Sequence, residues 1–269
     1  MLKNFLYKIF NKIKLLFKKT LIFFSSINYK KEKFENIQTK LFNEIGLDRI
    51  FGLDLLNKKK GEIDFLNRSM SSEHEVLFAS ISKTISPKKI LEIGTHDGNN
   101  AFLLSKIFYN SEITTIDLPD NHDDFKNFYG RKGNLENFIR NRNQRLKNLD
   151  NLKFIKMNSL NLIDHKEKYD LIWVDGAHGY PVGCIDLVNS IKILNSDGII
   201  ICDDIWKDNE NKSERLYDSK AYFQTIQVLK NEKIINSKFL YKRLDARFNS
   251  SKQYRKYLAF IKKIDRQAL

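Results

Sequence analysis

The chain has 269 residues, 42% of them hydrophobic, and 47 Lys and Arg outweigh 33 Asp and Glu for a formal net charge of +14. That is enough chain for a large core in one domain or two, and no apolar run is long enough to span a membrane. The surplus charge sits at the ends, with a net +8 in residues 1–40 and another +8 in 238–269, so the middle is nearly neutral and an active site for nucleic acid is disfavoured.

In chain order, Leu2, Phe5, Leu6, Ile9, Phe10, Ile13, Leu16 and Phe17 recur at three- and four-residue spacing, with Lys3, Lys8, Lys12, Lys18 and Lys19 between them. Residues 2–24 therefore read as a basic amphipathic helix that either lies on an anionic membrane face or packs on protein. The lysines interrupt it too often for a membrane span or a secretory leader. Three regions are expected: a basic extension over 1–40, a catalytic domain over 41–245, and a basic helix or tail over 246–269. Residues 70–85 predict a helix with Ser71 or Ser72 as N-cap and Glu75 placed for a capping box.

Residues 88–108 predict strand, glycine turn and helix: Ile90, Leu91 and Ile93 form a short apolar run, Gly94 and Gly98 bracket a turn, and helical spacing resumes at Ala101. Further strands are predicted in ITTID, NLKFIKMN, YDLIWVDG and SDGIIICDDIW, with helices between them. The polar stretch 118–133 reads as a long loop of the kind that covers active sites. INSKFLYKRLD closes the pattern as a last strand region. Alternating strands and helices imply a Rossmann-like, doubly wound, mostly parallel sheet, covered by helices on both faces. Cys184 and Cys202 sit in apolar contexts and read as small buried hydrophobes of a reducing compartment, consistent with a cytoplasmic location.

The turn after the first strand carries the most specific chemistry. Its glycines are four apart, and carboxylates stand within it (Asp97), before it (Glu92) and at the end of the next strand (Asp117). A pyrophosphate would be repelled by that much negative charge, which argues against a nicotinamide enzyme; a cationic ligand bearing a ribose would be attracted. S-adenosylmethionine (SAM) has a sulfonium, an ammonium and a ribose diol. LEIGTHDG resembles the first motif of class I SAM-dependent methyltransferases, and TIDL resembles their second. That resemblance implies a seven-stranded sheet with an antiparallel edge strand. It also implies cofactor contacts at Glu92, Gly94, Thr95, Asp97, Gly98, Asp117, Leu118 and Asp175, with Asn158 and Ser159 near adenine.

Strands four and five end in acids. Asp175, with His178 three residues on, and the pair Asp203 and Asp204 can converge, since adjacent strands lie about 5 Å apart. Converging carboxylates repel unless a cation holds them, and an all-oxygen set suits Mg²⁺. D-G-A-H followed by L-N-S-D-G-I-I-I-C-D-D resembles metal-dependent O-methyltransferases, in particular the macrocin-type sugar O-methyltransferase and cephalosporin-hydroxylase-like branch (methyltransferase family 24). By that resemblance Asp175, Asp203 and Asp204 hold the metal and His178 is a catalytic base. The expected activity is methyl transfer to a hydroxyl of a small acceptor such as a sugar, glycan unit or lipid-linked sugar. A metal-independent or N-methyl transfer, and a non-catalytic binding protein of the same fold, are the alternatives. A homo-oligomeric state stays open.

Overall fold

The computed structural model describes Thr20 and residues 29–59, 61–62, 72–129, 134–208, 220–249, 252 and 255–264. The amphipathic segment expected over residues 2–24 lies outside the described residues apart from Thr20. Seven strands form one sheet: β1 (Lys89–Ile93), β2 (Glu112–Asp117), β3 (Leu152–Lys156), β4 (Tyr169–Val174), β5 (Leu194–Ile205), β6 (Ile235–Tyr241) and β7 (Tyr257–Lys263). Their order is β3-β2-β1-β4-β5-β7-β6. The first five pair parallel, whereas β7 runs antiparallel to both β5 and β6. The architecture is the Rossmann-like doubly wound sheet that the alternating pattern implies, with antiparallel pairing at one edge.

Strand periodicity assigns the core. Ile90, Leu171, Trp173, Ile199, Ile201 and Phe260 enter one apolar layer, and their neighbours Leu91, Ile172, Val174, Ile200, Cys202 and Ile261 enter the other, because successive side chains on a strand point to opposite faces. The first layer is completed by α1 (Lys31–Glu44), α2 (Arg49–Lys58), α3 (Glu73–Thr84) and α4 (Asn99–Ile107), through residues such as Phe42, Leu56, Phe78 and Leu104. The second is completed by the 3₁₀ turn Ser159–Asp164, α7 (Val182–Ile193) and α8 (Ala221–Asn231), through Leu162, Leu187 and Ile226. Between these groups in the chain come α5 (Asp123–Tyr129) and α6 (Leu135–Leu146). Cys202 is buried in the second layer, and Cys184 is half-buried; both are free thiols.

Four local expectations are corrected. The boundary at residue 40 falls inside α1, which packs on β6. Gln38 explains the attachment: its amide donates to the Tyr241 carbonyl and accepts from the Tyr241 N–H, both at 3.0 Å, so a side chain completes the backbone pairing of an edge strand. The segment 246–269, expected as a helix or tail, holds one helical turn at Ala246–Asn249, but Tyr257–Lys263 inserts between β5 and β6 as an interior strand. The 118–133 loop contains α5. Finally, the capping box is not formed: Ser72 is the N-cap of α3 but makes no side-chain cap bond, and its hydroxyl instead donates to the Lys242 carbonyl at 3.2 Å.

The start of α3 is locked by charge. Arg49 grips Glu73 with both Nε and Nη2, at 2.8 and 2.9 Å, and both side chains are nearly buried. Breaking a buried pair strands one charge, at a cost of about 3–5 kcal/mol. Arg49→Met is therefore expected to lose stability on that scale in urea denaturation, and Arg49→Met with Glu73→Leu to recover most of it. A single variant as stable as the parent would show that the pair contributes nothing.

Candidate active site

The cofactor turn is fixed by close backbone approach. Gly94 has φ 102°, and a Cβ there would lie 2.3 Å from the Asp175 carbonyl oxygen, so only glycine lets the ends of β1 and β4 meet. Asp175 N–H donates to the Ile93 carbonyl at 2.9 Å, and Gly94 N–H donates to Ile116 at 2.9 Å. The edges of β1, β2 and β4 thus open onto one crevice. Gly98, φ 78°, turns the chain into α4 as its N-cap. A cleft of ≈ 160 Å³ follows, lined by His74, Glu75, Gly94, Thr95, His96, Asp97, Asn99, Asn100, Leu103 and Asp175.

Each expected cofactor residue has a definite place. Asp117 accepts from the backbone N–H of His96 and of Leu118, both at 2.8 Å, and each carboxylate oxygen keeps acceptor capacity for a diol. Asp97 accepts from Asn99 at its N–H (3.0 Å) and its side-chain amide (2.6 Å). Burial acts to raise its pKa, but these bonds and His96 bring it below the ordinary carboxylate value. Thr95 Oγ1 lies 2.6 Å from Thr115 Oγ1. Glu92 is wholly buried beneath the cleft and is not part of its wall. It is bonded by Thr115 and by Asn100, whose amide donates at 2.8 Å. Asn158 caps the 3₁₀ turn, accepting from Leu160 N–H at 3.0 Å. Ser159 begins that turn beside the buried Asp186, whose pKa burial raises to about 6.

The acidic ends of β4 and β5 converge, but on lysines. Lys242 Nζ donates to Asp203 at 2.5 Å and also to Asp204, and Lys256 Nζ donates to Asp204 at 2.6 Å. His178 lies between two acids, with Nε2 3.0 Å from Asp175 and Nδ1 3.3 Å from Asp204. Burial works against its charge, yet the two carboxylates outweigh burial and raise its pKa to about 10. His178 is therefore held as an imidazolium near neutrality, engaged by both carboxylates. Burial and the neighbouring Asp203 raise Asp175 to about 6. Three anions (Asp175, Asp203, Asp204) face three cations (Lys242, Lys256, His178), and the cluster is balanced.

That balance decides the fit of a divalent metal. Unit charges 4 Å apart near a protein surface interact by about 4 kcal/mol, so an ion of charge two beside these ammonium groups meets strong repulsion. The expected Mg²⁺ site at Asp175, Asp203 and Asp204 does not fit the donor set, because both oxygens of Asp204 and one oxygen each of Asp203 and Asp175 are already committed to cations. Among the described residues no group of three or more His, Cys, Asp or Glu is arranged to hold a metal ion.

For SAM the fit is good. Asn100 lines the cleft and its Oδ1 is buried with no hydrogen-bond partner in the protein, an acceptor placed for a ligand ammonium. Asn100, Lys242, Lys256, His74 and Glu75 escaped sequence reasoning. His74 packs on the buried Trp173 with ring centroids 5.0 Å apart and the rings tilted by 35°. No local spacing links the lysines to the acids; the one available signal was an acid pair beside a lysine-rich end.

A doubly wound sheet, an acid-bearing glycine turn and a second-strand acid held by the turn's backbone are the features that the resemblance to class I SAM-dependent methyltransferases leads one to expect. Residues 91–205 match the family model described as a methyltransferase domain. Among solved structures, the O-methyltransferase TomG from Streptomyces achromogenes in complex with SAM aligns with a TM-score of 0.53 at 12% identity, over 88% of this chain and 100% of that one. Cofactor-bound Rv0187 from MTB gives 0.52 at 13% identity, over 79% and 89%. The O-methyltransferase from Bacillus cereus in complex with SAH gives 0.51 at 13%, over 87% and 100%. At these identities the likeness is one of fold. No curated protein sequence matches the chain.

Burial pushes the Glu92 carboxyl up from 4.5 to about 8, against the opposing bonds from Thr115 and Asn100. Below 4.5 the folded and unfolded forms are both protonated. Between 4.5 and 8 only the unfolded chain releases the proton, so stability falls as pH rises, by an amount on the order of 4 kcal/mol. Thermal melts of the unliganded protein are expected to show this decline, and Glu92→Gln to flatten it. An unchanged slope in the variant would place the titration elsewhere.

Proposed function

We propose that this methyltransferase transfers a methyl group from SAM to a hydroxyl oxygen of a small acceptor, with Asp175 taking the acceptor's proton. The carrying observation is that Asp175 forms part of the cleft wall beside the cofactor turn, its side chain still 32% exposed, while His178 behind it is committed to two carboxylates. A hydroxyl is a poor nucleophile until it is aligned and relieved of its proton. Asp175 supplies the acceptor for that proton, and His178 fixes the carboxylate's orientation through Oδ1. Bound SAM supplies the electrophilic methyl; the O–CH₃ bond forms as the S–CH₃ bond breaks, leaving neutral S-adenosylhomocysteine. Asp117 binds the ribose diol, the Gly94–Gly98 turn and Asn100 bind the amino-acid end, and Asn158 and Ser159 border adenine.

Oxygen is favoured as the methyl acceptor by a carboxylate base at the cleft, and the structural neighbours TomG and the Bacillus cereus enzyme bear the name O-methyltransferase. The resemblance of D-G-A-H and the Asp203–Asp204 motif to sugar O-methyltransferases supports a sugar or glycan unit as acceptor, including lipid-linked sugars. The basic amphipathic pattern of residues 2–24 would hold the enzyme at the inner membrane face, in keeping with a cytoplasmic site of action. No helix among the described residues is long and apolar enough to cross a membrane.

Calorimetry is expected to show SAM binding and no binding of NAD; failure to bind SAM would remove the proposal. Asp175→Asn is expected to lower kcat about a hundredfold or more, on the scale of general-base catalysis, with little change in SAM affinity. Methylated product would be sought by mass shift across nucleotide sugars and glycolipids. Full turnover by the Asn variant would exclude Asp175 as the base.

A further inference from the structure

We propose that Lys242 and Lys256 build a permanent internal cation into the place where the resemblance to metal-dependent relatives puts a divalent ion, so that the acidic edge of β5 works without a metal. The inference rests on the methyltransferase reading only for its functional meaning; the geometry stands by itself.

The sheet topology creates the arrangement. β6 runs in the same sense as β5, so its end, and Lys242 directly after it, reaches the carboxyl edge where the acids lie. β7 is reversed, so its beginning, with Lys256 directly before it, reaches the same edge. Lys242 N–H donates to the Lys256 carbonyl at 3.0 Å, which sets the two lysines side by side. The acids are turned to meet them. Consecutive strand residues ordinarily point to opposite faces, but Asp204 has φ 54° and the β5–β7 register shifts between Cys202 and Ile205. That left-handed step brings Asp203 and Asp204 onto one ammonium. Asp203 is 2% exposed, Lys242 6% and Asp204 9%, so water does little to screen them.

Lys242 is also anchored where a displaced counter-ion would have to move. Its carbonyl accepts from Glu73 N–H at 2.8 Å and from the Ser72 hydroxyl at 3.2 Å. These bonds fix the backbone from which the Lys242 side chain reaches the acids, beside the start of α3, which carries His74 and Glu75 to the cleft. Lysine suits the place as a compact point charge with three donors. Lys242 is a positioning residue: it keeps the Asp204 carboxylate fixed against His178, which in turn orients Asp175.

The test uses the full chain and Mn²⁺ alone as probe, followed by electron paramagnetic resonance. Wild type is expected to leave Mn²⁺ free up to millimolar concentration. Lys242→Met uncovers the hard oxygens of Asp203 and Asp204 and is expected to bind one Mn²⁺ roughly tenfold or more tightly than wild type; adding Asp203→Asn should abolish that gain. Micromolar Mn²⁺ binding by wild type, lost in Asp203→Asn, would overturn the proposal, as would a folded Lys242→Met protein that gains no affinity. Should Lys242→Met fail to fold, as judged by circular dichroism, the wild-type titration decides alone. SAM calorimetry on the same samples reports separately on the methyltransferase reading.

Discussion

The ammonium of Lys242, buried between Asp203 and Asp204, is the contact on which the geometry of the cleft depends. Two adjacent carboxylates at the end of a parallel strand, removed from water, would repel each other and take up protons. With Lys242 between them and Lys256 on the outer oxygen they form a compact, nearly neutral cluster. The same lysine ties its backbone to the start of α3, where the Arg49–Glu73 pair and Gln38 continue the connection to α1 and β6. Charge neutralisation at the sheet edge and the seating of the leading helices are therefore one continuous network.

The opposite side of the cleft is governed by steric exclusion. Gly94 permits β1 and β4 to touch, and this brings the turn's N–H groups and Asp175 to a common wall. The left-handed backbone of His96, φ 52°, aims its N–H at Asp117. Glu92 lies beneath, polar yet inaccessible, holding Asn100 and Thr115 in place. One wall is shaped by what cannot fit and the other by charges that must meet.

Much of the fold was legible because it is encoded locally. The run Ile90–Ile93, the four-residue glycine spacing and the acids closing β2, β4 and β5 each occupy a few adjacent residues, and the parallel order follows from their alternation with helices. What stayed hidden lies far apart in sequence. Lys242 and Asp203 are separated by 39 positions, and the tail after residue 246 has helix-like composition but becomes a strand because β5 offers it an unpaired edge. Ser72 and Glu75 satisfy the capping pattern, yet a distant carbonyl draws the hydroxyl of Ser72 away. His178 was recognised as important, but its protonation depends on Asp204 of another strand as well as on the nearby Asp175, and no local pattern displays that second partner.

The interior position of β7 has a consequence for biogenesis. During synthesis from the N-terminus the ribosome releases β1 through β6 before β7 emerges, so β5 and β6 must wait with open backbone edges until Tyr257–Lys263 slots between them. The nascent protein can pair β1 through β4 early, while the half bearing the acid pair acquires Lys256 and its final register only once β7 has emerged. Maturation of the acidic edge is thus tied to the emergence of β7, and a product truncated before Tyr257 would leave the facing edges of β5 and β6 unpaired.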